Sequence, residues 1–144
     1  MRRLTVLAAV LALLSPVPSP AADDFVVIVH PSITGANIRR ADLAAIYLRK
    51  AARWGGAGTA SPVDQSGTSA VRGAFSQAVL GMPVATVVQY WQKQMFEANP
   101  LRPPIVKGSD ADVVAFVAET PGAVGYVSRA TALPAGVKAL DVID

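Results

Sequence analysis

The sequence predicts an α/β domain: a small parallel or mixed sheet flanked by helices in a three-layer-like arrangement. Three observations carry this. Short β-branched runs alternate with longer segments of helical spacing, the pattern by which helices cover a sheet. Residues 25–30 (FVVIVH) and 123–127 (AVGYV) are apolar at consecutive positions, as strands covered on both faces are. Beyond an N-terminal leader about 123 of the 144 residues remain, enough for one hydrophobic core and too few for two full domains.

The leader is read from its own chemistry. Arg2 and Arg3 make a short basic start, and Leu4 to Leu14 is apolar apart from Thr5. Prolines follow, and Ser19-Pro20-Ala21 places small residues where a signal peptidase reads them. Residues 1–21 are therefore expected to be a signal peptide and residues 22–144 a single α/β domain, located in the periplasm. The apolar run is too short to span a bilayer, so no membrane insertion is expected after cleavage. With no cysteine, there is no lipid attachment site.

The elements follow in order. Pro31 closes the first strand, and residues 31–35 (PSITG) turn the chain. Leu43, Ile46 and Tyr47 have helical spacing, which predicts a short helix over residues 41–48. Trp54 to Gly58 then read as a flexible link. Residues 61–63 (SPV) make a very short strand, and residues 64–69 (DQSGTS) a polar turn. Val71, Ala74, Phe75, Ala78 and Val79 share one helical face, with Thr68 or Ser69 as the cap and Gly81 as the stop. A second helix opens near Pro83. Its stripe of Val84, Val87, Val88, Trp91 and Met95 is expected to pack in the core. Residues 99–104 are extended, and Ile105-Val106 is a short strand. Ser109 and Asp112 have capping-box spacing and open a helix that carries Val113, Phe116 and Val117. Thr120-Pro121-Gly122 ends it. Gly125 inside the next strand predicts a close backbone approach. Val137, Ala139 and residues 140–142 form a half-exposed last strand.

Charge and composition exclude several functions. The whole chain is +3, but two of its 13 basic residues sit in the leader and all 10 acidic residues lie beyond it. The remainder is near +1 and shows no concentrated basic track for nucleic acid. Without cysteine there are neither disulfides nor thiolate sites. A zinc site would have to be built around the single histidine, His30, and no carboxylate cluster accompanies it. His30 beside Pro31 reads as structural, and no nucleophile-elbow motif is present. The chain is expected to be neither an enzyme nor a cofactor carrier.

One polar cluster has a clear physical purpose. Residues 64–69 precede the best-formed helix, whose first N–H groups and dipole attract an oxyanion. Gly67 lets the backbone turn tightly and approach a ligand. Ser66, Thr68 and Ser69 offer hydroxyl hydrogens, and Arg72, one turn into the helix, offers a positive charge. Asp64 suits a protonated anion, from which it accepts a hydrogen bond. Ser and Thr at such positions also cap helices with no ligand, and both roles stay open. The glycine spacing and the absence of a following lysine exclude a P-loop.

Four stretches in order carry a family resemblance: FVVIVHPS, ADLAAIYLRKAARWGGAG, VDQSGTSAVRGAF and TPGAVGYV. Together they resemble the second lobe of the periplasmic phosphate-binding proteins of ABC transporters, and more closely their short single-domain relatives. The resemblance implies one lobe of a type II periplasmic binding protein. It places Asp64, Ser66, Gly67 and Thr68 in a phosphate-contacting loop. Two positions depart from the pattern: Pro62 stands where an arginine is common, and Arg49 where glycine is usual. The resemblance covers one lobe only.

The functional expectation is an exported solute-binding module. It recognises phosphate or a similar oxyanion through Asp64, Ser66, Gly67, Thr68, Ser69 and Arg72. Ser32 and Thr34, at the end of the first strand, are expected to approach the same sheet edge. The alternative is a periplasmic interaction or sensory module that keeps the fold, has lost the ligand, and engages an envelope protein or a second copy.

Overall fold

A computed structural model describes residues 24–55 and 58–144. The expected leader lies outside the described residues. The β-branched runs form the main sheet: β1 (Phe25–Val29), β2 (Asn37–Arg39), β5 (Ser61–Gln65), β6 (Ile105–Lys107), β7 (Ala123–Ser128) and β8 (Lys138–Ile143). Their order is β2-β8-β1-β7-β5-β6. β7, β5 and β6 pair in parallel, as do β2 and β8, whereas β1 pairs antiparallel with both β7 and β8. Five strands thus run one way and β1 alone runs against them, so the sheet is mixed.

That direction positions everything else. β2, β5 and β6 deliver their C-terminal ends to one edge, and three helices begin there: α1 (Arg40–Tyr47), α2 (Ala70–Phe75) and α4 (Asp110–Glu119). A π-helical segment, Ser76–Leu80, prolongs α2, and Gly81 closes it in the left-handed region at φ 69°. α3 (Val84–Gln94) follows, with Pro83 just before its first turn.

The core has two halves, one on each face of the sheet. On one face, Leu43, Ile46 and Tyr47 of α1 and Phe75 and Val79 meet Val27, Val29, Val124, Tyr126 and Leu140. On the other, Val113 and Val117 of α4 meet Ile28, Val63, Ala123 and Val127. This is the expected layering. Gly125 lies where α4 crosses the sheet: a Cβ there would sit 2.6 Å from Val113 Cγ1 and 2.8 Å from Val63 Cγ1.

Two expectations need correction. Residues 54–58 are more than a link: Arg53–Trp54 (β3) pairs antiparallel with Gly58–Thr59 (β4) in a small ribbon. Trp54 is buried, and its Nε1 donates to Gly122 O at 2.8 Å. The stripe on α3 does not face the core as a whole. Val87 is its buried residue, Val88 is exposed, and Met95 is 74 % exposed. Trp91 is half-buried and rests edge-on against Tyr90 with centroids 4.8 Å apart. The helix meets the domain through Val87 and the Tyr90 hydroxyl, so Val88 and Met95 on the rest of the stripe reach solvent.

Candidate functional site

The last two residues of β5 are polar yet buried, because they lie inside the sheet rather than in the turn that follows. Asp64 is 6 % exposed and Arg72 9 %. The Asp64 carboxylate is fully occupied: Oδ1 accepts from the Tyr126 hydroxyl and from the Gln65 N–H at 2.9 Å, and Oδ2 lies 3.3 Å from Arg72 Nη2. Arg72 Nη1 donates to Gln65 O at 2.9 Å. A guanidinium from the helix therefore neutralises the strand aspartate, with Pro62 buried where the resemblance led one to expect an arginine.

Tyr126 anchors this pair from β7. Its ring stacks on Phe75 with centroids 4.0 Å apart and 6° between planes. Burial, then the neighbouring Asp64 charge and the hydrogen bond to it, hold the Tyr126 hydroxyl well above the ordinary tyrosine range. Burial chiefly, with Tyr126 and Asp64 adding to it, also raises Tyr47, whose hydroxyl donates to Val63 O at 2.8 Å.

Gln65 links three elements. Its Nε2 donates to Asp110 Oδ1 at 2.8 Å and to Tyr126 O at 2.9 Å, and its Oε1 accepts from Ser69 Oγ at 2.9 Å. Asp110 also accepts from Thr131 Oγ1 at 2.9 Å and from the Ser128 N–H at 3.3 Å. The starts of α2 and α4 are thus tied to the ends of β5 and β7.

Above this buried layer lies the loop. Ser69 is the N-cap of α2, its Oγ accepting from the Arg72 N–H at 3.3 Å. Ser66 Oγ and Thr68 Oγ1 are 3.1 Å apart. Gly67 and Thr68 are exposed, and Ser66 and Ser69 half-buried. The Ala70 and Val71 N–H groups stand in the first turn, where no intrahelical acceptor exists. Gly67 is outside the left-handed region, and a Cβ on it would meet only Arg72 Nη1, at 3.9 Å. The fold itself does not demand glycine there.

Asp64, Ser66, Gly67, Thr68, Ser69 and Arg72 are thus brought together, while Ser32 and Thr34 are not. β1 runs against the other strands, so its end lies at the opposite edge of the sheet from this loop. Ser32 Oγ accepts there from the Gly122 N–H at 3.2 Å and lies 2.8 Å from His30 Nδ1, which fastens the turn to β7; Thr34 is exposed beyond it. Sequence reasoning missed Tyr126, Gln65 and Asp110 as parts of this layer. For Tyr126 the signal exists: a tyrosine in a strand buried on both faces needs an acceptor for its hydroxyl.

No family profile matches the chain, and no curated protein matches it. Solved structures do. An ABC-type phosphate transport receptor from Vibrio cholerae superposes with a TM-score of 0.64 at 18% identity, over 83% of this chain and 46% of the receptor. PstS from Borrelia burgdorferi gives 0.62 at 20% identity, over 83% and 47%. A phosphate ABC transporter substrate-binding protein from Clostridium perfringens, solved with bound phosphate, gives 0.60 at 19% identity, over 83% and 45%. The fold is that of part of a periplasmic binding protein. The chain spans less than half the length of the receptors it matches.

Proposed function

We propose that this protein is a periplasmic solute-binding module that takes phosphate or a similar oxyanion on the loop Ser66–Ser69, without catalysis. The observation that carries the reading is the exposed hydroxyl-bearing loop at the start of α2, set on the edge where parallel strands end. Ser66, Thr68 and Ser69 supply hydroxyls, and Gly67, Ala70 and Val71 supply backbone N–H groups. Asp64 and Arg72 act from beneath. Their charges offset one another, so the ligand meets neutral donors over a neutral base, and its affinity rests on hydrogen bonds. Each such bond to a charged group is worth roughly 1.5–3 kcal/mol.

The test uses the residue the fold does not need. Phosphate is titrated into the protein by calorimetry, with sulfate as competitor, and then into Gly67→Val. Saturable binding that disappears in Gly67→Val, while the melting temperature without ligand stays the same, supports the reading. Absence of heat and of thermal stabilisation at millimolar phosphate sinks it.

A second reading is favoured by one specific observation: Asp64, Arg72, Gln65 and Ser69 find their hydrogen-bond and charge partners within the protein itself. On that reading the chain keeps the binding-protein fold and serves an envelope partner or a second copy instead. It is the reading that survives if phosphate gives no signal.

A further inference from the structure

A second surface combines positive charge with projecting apolar side chains, and it lies away from the loop. The Tyr90 hydroxyl donates to Leu48 O at 2.8 Å, holding α3 against the end of α1. Arg49 Nε donates to Arg102 O at 3.2 Å, laying the segment after α3 beside the same helix end. These bonds fasten the segment from Tyr90 to Arg102, which carries Lys93, Met95, Phe96 and Leu101, beside the end of α1, where Arg49 and Lys50 follow. Phe96 is 90 % exposed and Met95 74 %. The ion pairs among the described residues use Arg39, Arg40 and Arg72, and none of these four cations. Glu97 is the one acidic residue in the stretch from 93 to 102. Positive charge is thus concentrated here, in a chain that is nearly neutral beyond its leader.

We propose that this surface adsorbs the protein onto an anionic lipid bilayer. Met95 and Phe96 enter the headgroup region, and Arg49, Lys50, Lys93 and Arg102 lie on the lipid phosphates. Three arguments select a bilayer. The concentrated positive charge calls for an anionic surface, and isologous pairing of two copies would set the four cations against themselves. A phenylalanine nine-tenths exposed projects from the surface; a bilayer accepts it without a shaped pocket, whereas a protein partner must supply one. Trp91 is half-buried one turn before Met95, and such an amphipathic ring belongs at a headgroup interface. No single helix among the described residues is long and apolar enough to cross a membrane, and the proposal is of adsorption, not spanning. α1 starts at the edge that carries the Ser66–Ser69 loop and ends at this surface, so a docked molecule keeps its loop open to solvent.

The experiment is co-sedimentation of the purified protein with vesicles containing phosphatidylglycerol, against vesicles of phosphatidylcholine alone, at low and high salt. Binding to the anionic vesicles alone, weakened by salt, is expected. Lys93→Gln with Arg102→Gln should weaken it about tenfold or more, and Met95→Ser with Phe96→Ser should abolish it. Circular dichroism and melting serve as controls, because all four side chains are exposed and the fold does not need them. Trp91 fluorescence should be quenched by brominated lipid. Absence of binding at low salt overturns the proposal, as does binding that Met95→Ser with Phe96→Ser leaves intact. Capture of an acidic protein through this surface with no vesicle binding, or a dimer lost in the Phe96 variant, overturns it in favour of a protein partner.

Discussion

Asp64 and Arg72 show how much a single buried pair commits a fold. Each is held by the other and by neighbours that cannot move independently, so removing one leaves a charge with no water to receive it. Arg72→Ala is expected to cost about 3–5 kcal/mol of stability, measured by denaturant unfolding. The double variant Asp64→Asn with Arg72→Met should recover much of that loss, because no uncompensated charge remains. Tyr126 makes a second residue-scale prediction. Its hydroxyl titrates well above the ordinary tyrosine value in the fold and near about 10 when unfolded. Above that pH the unfolded chain holds fewer protons, so unfolding is favoured and stability falls as pH rises. The slope approaches about 1.4 kcal/mol per pH unit for one such group. Tyr126→Phe should remove one group's share of the alkaline slope and leave that of Tyr47.

At the scale of elements, the crossing of α4 over the sheet depends on Gly125. Gly125→Ala sets a methyl within 3 Å of both Val113 and Val63 side chains. It is expected to destabilise by about 1–3 kcal/mol, visible as a lower melting temperature, and Val113→Ala in the same chain should relieve part of it. This crossing is legible from sequence, since a glycine inside an apolar strand signals close approach. The start of α2 is legible too, because Ser69 and the apolar face after it leave little choice. The ribbon of Arg53–Trp54 with Gly58–Thr59 is not, as two-residue strands are too short to show alternation. α3 misleads for another reason. Its apolar residues have helical spacing, but spacing says which residues share a face and not how much of that face the domain covers. In the polar run after Val63, the sequence marks the residue types correctly. It cannot show that Asp64 and Gln65 still belong to the strand, because that depends on where β6 and β7 pair.

The whole molecule is set by the direction of one strand. Because β1 opposes the others, Ser32 and Thr34 go to the far edge and the three helix starts gather at the near one. No local signal in residues 25–35 distinguishes these outcomes, since parallel and antiparallel neighbours bury the same side chains. The loop and the surface around Phe96 consequently lie on different sides of the domain, and variants at one should leave the other's ligand response unchanged. Gly67→Val should not alter vesicle binding, and Phe96→Ser should not alter the phosphate titration. The sheet order also places β8, nearly the last residues of the chain, between β1 and β2, among the first. Removing residues 138–144 should therefore abolish cooperative unfolding rather than trim an end. A ribosome delivers the N-terminal half first, and β1 and β2 have no β8 to lie between them until residues 138–143 follow. The sequence order thus builds in a delay: the sheet stays open between β1 and β2 until β8 arrives, and then the domain locks from its middle.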